Sequence, residues 1–243
     1  MIGIGKKIII DLGHYQIGNI KLDLILNETV INSWIAMIIL IILSILLTRD
    51  LKVRNPSYRQ LFVETLIISV AKQIRGFSRV PVEPFLGFIT TMWLFVGVSN
   101  LLGLVPFLEK PTADLSAVAG LSTITFLSIF YYGVKFEGIS YFKHYLKPLP
   151  IFLPFNVIGE SGRILALTFR LFGNMLGWEI ILGILLVIAG LLVPVPLMLL
   201  SVVGDVIQAY IFGLLTLAYI IAGINVSELK RRLKNLEENW YEL

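Results

Sequence analysis

The feature that most constrains this chain is a series of apolar runs, each long enough to cross a lipid bilayer. A helix needs about 20 apolar residues to span a hydrocarbon core of ~30 Å. Hydrophobic residues make up 57% of the 243 residues, more than is usual for a water-soluble domain. The runs predict an all-α integral membrane protein, a single membrane domain over 1–243 with about five membrane helices, at 29–48, 85–104, 115–134, 154–191 and 197–224.

Three more polar segments complete the predicted architecture. Residues 57–79 mix charged and apolar side chains at helical spacing, which predicts an amphipathic helix on the cytoplasmic surface of the membrane. Residues 1–28 are assigned to the outside, and they lack the apolar core of a cleaved signal peptide. The charged residues of 227–243 are predicted to form a solvated cytoplasmic tail.

The residue types that are rare in this chain exclude several kinds of chemistry. There is no cysteine, and His14 and His144 are the two histidines. Disulfide frameworks, thiolate catalysis and cysteine-based metal sites are therefore excluded. We expect no metal, no cofactor and no nucleic-acid partner.

Positive charge is distributed unevenly between the two sides of the predicted spans. The segments 49–84, 135–150 and 225–243 hold fourteen of the twenty Lys and Arg residues, whereas the opposite side holds four. Cytoplasmic loops carry the excess of Lys and Arg in membrane proteins. The N-terminus is therefore expected outside and the C-terminus in the cytoplasm. The remaining two basic residues, Arg163 and Arg170, fall within a predicted span.

The last two predicted helices differ from the others in length. Pro194 and Pro196 divide them, and residues 154–191 would form a helix of ~55 Å at about 1.5 Å per residue. Such a helix is much longer than the hydrocarbon core is thick, so it must tilt or break. We therefore predict a long, steeply tilted hairpin.

Within this hairpin, Arg170 is the residue whose placement in the membrane costs the most free energy. Arginine stays charged, and a charge on a helix at the centre of a bilayer costs at least ~2.5–3.5 kcal/mol. Arg163 can form a local ion pair with Glu160, three residues earlier. Arg170 has no acidic residue three or four positions away, and Glu179 lies half a turn around the helix. Its compensation must come from another helix, another subunit or water.

The last helix carries a polar stripe formed by Ser201, Asp205, Gln208 and, at its end, Phe212. These residues are spaced by three or four positions and so share one helix face. Such groups can hold helices together by hydrogen bonds, or they can line a watery ion path. Placing two carboxylates, Asp205 and Glu179, in a membrane costs more free energy than helix association needs, and this favours the ion path.

Two polar residues outside the hairpin leave alternatives open. Asn100, in the second span, could belong to the ion path or could hold helices together. Asp114 could belong to the same set or could be the N-cap of the third span, which it directly precedes.

The motif Arg170-Leu171-Phe172-Gly173-Asn174-Met175, with Glu179 behind it, resembles that of the a subunits of F-type ATP synthases. The similarity continues in three other segments, which are Gln208-Ala209-Tyr210-Ile211-Phe212, Asn100-Leu101-Leu102-Gly103-Leu104-Val105-Pro106 and Pro111-Thr112-Ala113-Asp114. It covers most of the chain, and the last two helices are its most specific part.

The resemblance implies a subunit that is not an enzyme but carries ions. In this family two aqueous half-channels carry protons or sodium ions to and from a rotating ring of c subunits. The essential arginine of the family falls on Arg170. The resemblance and the polar pattern together give the predicted ion-translocation set, Arg170, Asn174, Glu179, Asn100, Ser201, Asp205 and Gln208, with Glu160, Arg163 and Asp114 as secondary members. The implied partners are the c ring, b-type peripheral stalk subunits, the other synthase subunits and lipid, in a bacterial cytoplasmic membrane.

The chain departs from the commoner family pattern at several positions. Ser201 stands where some members have a histidine, and Trp178 stands where a small residue is common. We hypothesise that Asp205 supplies the titratable group in place of that histidine. The segment 154–163 also differs from the commoner family sequence before the arginine, so the family's path for the inner half-channel does not transfer directly to this chain.

Two other function classes are compatible with a membrane protein of this composition. A stand-alone ion-coupled secondary transporter would use Arg170, Glu179 and Asp205 as a relay within one chain, and would be expected to show internal symmetry or paired broken helices. A structural scaffold would satisfy Arg170 inside the chain. The sequence indicates neither feature.

Overall fold

The structure is a computed structural model that describes residues 8–17, 20–49, 51–52, 56–77, 83–105, 108–138, 141, 153–190 and 193–224. The predicted cytoplasmic tail, 227–243, lies outside the described residues, as do His144 and most of the connection 135–150. The description of side chains begins at Asn27.

Six long helices form the described membrane part of the chain. They are α1 (Glu28–Thr48), α2 (Tyr58–Phe77), α3 (Glu83–Leu101), α4 (Leu115–Glu137), α5 (Leu153–Ala189) and α6 (Pro194–Gly223). All except α2 are long and apolar enough to cross a membrane, which gives five candidate spans among the described residues. The predicted all-α membrane class with about five spans is confirmed.

The helix ends differ from the predicted ones by a few residues. Helix α3 ends at Leu101, and a 3₁₀ helix, Leu102–Leu104, continues it. Helix α6 begins at Pro194 rather than at residue 197. Proline is tolerated in the first turn of a helix because the amide groups there have no intrahelical acceptor. Both prolines therefore lie within the first turn of α6.

Two antiparallel strands precede α1, although no strand is predicted from the sequence. They are β1 (Ile8–Ile17) and β2 (Ile20–Asn27), paired in a register that joins Ile17 to Ile20 and Ile8 to Asn27. Residues 20–24 alternate apolar and polar side chains. A period of two is the sequence signal of a strand.

The chain divides into two compact units, each assembled from separate segments. Unit 1 comprises Met1–Leu46, Leu94–Val118 and Arg170–Tyr210. Unit 2 comprises Leu47–Trp93, Ala119–Phe169 and Ile211–Leu243. Most of the predicted site residues belong to unit 1, and Glu160 and Arg163 belong to unit 2.

Unit 2 has an apolar core to which α2 contributes one face. Val70 and Ile74 of α2 are buried in the same cluster as Phe85, Ile129 and Ile220. Other apolar residues of α2, such as Phe62 and Ile68, remain exposed. The helix therefore packs through one side and leaves apolar surface on another, as expected for a helix at a membrane surface.

Candidate functional site

Arg170 lies on an exposed face of α5. Its neighbours Leu171 and Met175 are fully buried, whereas Arg170 and Gly173 are exposed. Among the described residues, no carboxylate lies within ion-pair distance of the Arg170 guanidinium. The helix thus packs through the side carrying Leu171 and Met175 and presents the arginine to its surroundings.

Arg163 has the local partner that its spacing indicates. Its Nη1 donates to Glu160 Oε1 at 2.7 Å, between residues three apart on α5. This ion pair accounts for the charge of Arg163 within unit 2. It also distinguishes Arg163 from Arg170, which has no acidic residue three or four positions away in the sequence.

The polar stripe on α6 is buried along its length. Ser201, Asp205, Gln208 and Phe212 are each at most 5% exposed. The Ser201 hydroxyl donates to the Met198 carbonyl of its own helix at 2.9 Å, so its hydrogen bond is local. Asp205 and Gln208 instead contact groups on other segments.

Asn174 and Gln208 are brought together by the α5 and α6 helices. Asn174 Nδ2 donates to Gln208 Oε1 at 3.3 Å. Both were members of the predicted ion-translocation set. An amide pair across two helices can hold them together, and it can also offer polar groups to water or to an ion.

Asp205 is the centre of a buried network that the sequence did not reveal. Lys110 Nζ donates to Asp205 Oδ2 at 2.7 Å. Asn100 Nδ2 donates to the backbone carbonyl of Asp205 at 3.0 Å, and Thr112 Oγ1 donates to Asn100 Oδ1 at 2.6 Å. The predicted residues Asn100 and Asp205 are thus joined. Their other partners, Lys110 and Thr112, were not in the predicted set.

Glu179 is exposed and is not part of this hydrogen-bonded network. It lies within electrostatic range of Lys110 and of Glu109. Before it in the sequence, Trp178 packs against Gly204 of α6, where a Cβ atom would come within 3.1 Å of the indole Nε1. The large residue at position 178 is therefore accommodated by a glycine on the facing helix.

Asp114 has the geometry of a helix N-cap. Its Oδ1 accepts hydrogen bonds from the backbone N–H and the hydroxyl of Ser116, both at 2.9 Å, in the first turn of α4. Its Oδ2 accepts a hydrogen bond from Thr29 Oγ1 of α1 at 2.6 Å. Asp114 thus has a capping role and links α4 to α1.

The described residues contain no group of three or more His, Asp and Glu side chains arranged to hold a metal ion. The charged and polar groups of unit 1 instead form pairs and short hydrogen-bonded chains. This arrangement suits the holding and passing of single charges through an apolar region.

Comparison with known proteins identifies the relatives of the chain. A family profile described as ATP synthase A chain matches residues 30–221. The chain is 42% identical over 212 residues to the ATP synthase subunit a of Legionella pneumophila (strain Corby), covering 87% of this chain and 92% of that protein. It is 41% identical over 195 residues to ATP synthase subunit a 1 of Hahella chejuensis, covering 80% and 83%. It is 39% identical over 215 residues to ATP synthase subunit a 2 of Pelobacter propionicus, covering 88% and 94%.

Proposed function

The chain belongs to the ATP synthase A chain family, and from this premise we propose that it is the stator subunit that carries protons or sodium ions to and from a rotating c ring. In this proposal the chain is not catalytic. It couples ion flow to rotation and so to ATP synthesis. The observation that carries the proposal is Arg170, which is exposed on a membrane helix and has no carboxylate within ion-pair distance among the described residues.

Arg170 needs a negative partner that the described part of the chain does not supply. A fixed cation at membrane depth costs at least ~2.5–3.5 kcal/mol unless it is compensated. An ion-binding carboxylate on a c subunit would provide that compensation. The arginine would in turn stabilise the deprotonated carboxylate and promote release of its ion. Arginine suits this role because, unlike lysine, it cannot lose its own charge.

The polar groups of unit 1 support an outer half-channel near Arg170. We assign Glu179 to this path because it is exposed while its charged neighbourhood is formed by Lys110 and Glu109. Asn174 belongs to the motif that precedes Glu179, and it forms an amide pair with Gln208 of α6. Asn100, Asp205 and Ser201 are the buried members of the same set.

The inner half-channel is proposed to involve the start of α5. Glu160 and Arg163 form an ion pair there, and one oxygen of Glu160 is buried without a hydrogen-bond partner among the described residues. A polar pair with spare hydrogen-bonding capacity can bind water. Asp114 is assigned a structural part, as the cap of α4.

We place the chain in a bacterial cytoplasmic membrane with its N-terminus outside and its C-terminus in the cytoplasm. The five candidate spans make it a membrane protein, and its relatives named above are bacterial. The orientation follows from the excess of Lys and Arg on one side. Its proposed partners are the c ring, b-type peripheral stalk subunits and the remaining synthase subunits.

The proposal is tested by replacing Arg170 with alanine in the assembled complex. We expect Arg170→Ala to abolish ATP synthesis driven by an ion gradient, because the c-ring carboxylate then loses its counter-charge and the two half-channels are no longer separated. The measurement is the rate of ATP synthesis by the purified complex in proteoliposomes.

Arg75→Ala is the matched control, because it removes an exposed arginine from α2, outside the candidate spans. It should leave coupled synthesis at the wild-type level. Coupled synthesis retained in Arg170→Ala would refute the proposal, and ion-coupled solute uptake by the chain alone would support a secondary transporter instead.

A further inference from the structure

Lys110 belongs to the connection between α3 and α4, yet its side chain is largely buried and its ammonium group bonds to α6. Its Nζ lies 2.7 Å from Asp205 Oδ2, and the two side chains are 9% and 0% exposed. Lysine is almost never buried this deeply unless it is paired. By sequence, Lys110 is one of the four basic residues on the predicted outer side.

The connection is shaped to let the lysine turn inward. Its aliphatic stem crosses Gly103, where a Cβ atom would overlap the stem carbons. Pro111 follows directly and starts the 3₁₀ helix Pro111–Ala113 with its restricted backbone. Thr112, at the next position, is fully buried and donates to Asn100. The residues on both sides of the ion pair thus fix the connection.

The two charges depend on each other. Removing one member of a buried ion pair leaves the other charge without compensation, which costs far more than replacing both members with neutral groups. Asp205 Oδ2 is satisfied by Lys110, while Oδ1 is buried and has no hydrogen-bond partner among the described residues. Without Lys110, the Asp205 carboxylate would have to take up a proton or draw in water.

Two other charged groups act on this region from separate elements. Glu109 precedes Lys110 in the connection, and Glu179 lies on α5. Lys110 attracts the Glu179 charge, whereas Glu109 repels it. Asp205 is thus the buried carboxylate that is bonded to Lys110, whereas Glu179 is exposed.

We propose that Lys110 is a positioning residue of the outer half-channel. It is an internal counter-cation that keeps Asp205 ionised, so that Asp205 anchors the α3–α4 connection. Glu179 is then the carboxylate that exchanges ions. This inference rests on the proposed function, since it assigns parts within the same path. Asp205 serves in it as a fixed anion, in place of the titratable role that the sequence suggests for it, and the moving ion does not need to bind it.

The test is a double-mutant cycle on the purified holoenzyme, with Lys110→Gln, Asp205→Asn and the double variant. Lys110→Arg is the conservative variant, because it keeps the positive charge. ATP synthesis is driven by a potassium–valinomycin potential with a pH step, in a sodium-containing buffer that serves either coupling ion. Rates are recorded over a range of pH, and the amount of this chain that co-purifies with the complex reports assembly.

Lys110→Gln should slow synthesis by about tenfold and make the rate more strongly pH-dependent, because the unpaired Asp205 then gains and loses a proton. The double variant should recover to within about threefold of wild type and lose the added pH dependence, since no unpaired charge is left. Lys110→Arg should also stay within about threefold of wild type.

Two results would overturn the inference. One is a wild-type rate and pH profile for Lys110→Gln. The other is a double variant as slow as Asp205→Asn or slower, which would mean that Asp205 itself carries the ion. Should Lys110→Gln fail to assemble, assembly and activity of the double variant decide the question. Arg170→Ala in the same preparation separates the two proposals: if it keeps coupled synthesis, the proposed function fails, whatever the Lys110 variants do.

Discussion

Trp178 and Gly204 show how a single pair of residues adjusts the packing of two membrane helices. The indole packs so close to Gly204 of α6 that a Cβ atom at that position would lie 3.1 Å from the indole Nε1. The glycine on the facing helix provides the space that the large Trp178 side chain needs. Glu179 follows directly, so the packing of Trp178 also influences where this carboxylate lies.

Gly204→Val is therefore expected to destabilise unit 1. The valine side chain would crowd the indole, and overpacking of this kind typically costs ~1–3 kcal/mol. The measurement is the thermal midpoint of the purified complex. Gly183→Ala is the control, because the space around Gly183 is open and the change should be neutral or slightly stabilising. Equal midpoints for wild type and Gly204→Val would show that Trp178 can move away without cost.

Single residues also show how far the sequence could predict the site. The ion pair of Arg163 with Glu160 follows from a spacing of three on one helix, and the structure contains it. The pair of Lys110 with Asp205 joins residues 95 positions apart. Helical periodicity relates residues within one helix and carries no information about which loop residue meets it. That pair therefore required the tertiary structure.

Helix α1 illustrates anchoring at the scale of an element. Two hydrogen bonds near its start join it to other segments, from Thr29 to Asp114 and from the buried Asn32 to the Glu109 carbonyl at 3.1 Å. Farther along, its apolar side chains are largely exposed, as Ile41 and Ile45 are. A helix with this distribution presents most of its length to lipid or to a partner.

Replacing Asn32 tests the anchor. Asn32→Ala removes the hydrogen bond to the α3–α4 connection and should destabilise it by about 1–3 kcal/mol. The measurement is the rate at which a glutamate-specific protease cuts the detergent-purified complex after Glu109, which should rise. Ser33→Ala is the control, because the hydrogen bond of that hydroxyl among the described residues goes to the Thr29 carbonyl of its own helix. A protease rate unchanged by Asn32→Ala would mean that the anchor does not hold the connection.

The prediction of elements succeeded where one signal dominated. Runs of about 20 apolar residues have few alternatives to a spanning helix, so the five spans were found with ends shifted by a few residues. The strands before α1 were not predicted, because the charges of residues 1–28 and their lack of a signal-peptide core do not indicate strands. The alternation in 20–24 was present but short. Short alternating segments are weak signals compared with a long apolar run.

At the scale of the whole molecule, the orientation in the membrane is the property most directly open to measurement. The chain contains no cysteine, so a single introduced thiol can be labelled without background. We expect Glu109→Cys to react with a membrane-impermeant maleimide from the outside of the cell and Arg59→Cys to react only in inverted vesicles, because the basic segments face the cytoplasm. Both positions are exposed. Reversed labelling would invert the proposed topology.

Unit 1 is assembled from three stretches of sequence, and this has a consequence for the order of its synthesis. The groups that hold Lys110 and Asn100 come from α6, around 100 residues later in the chain, since the separations are 95 and 105. The first four helices therefore leave the ribosome before the carboxylate that neutralises Lys110 exists. We expect the α3–α4 connection to stay open to water until α6 has been inserted, so that insertion of the last helix completes folding of a segment made much earlier.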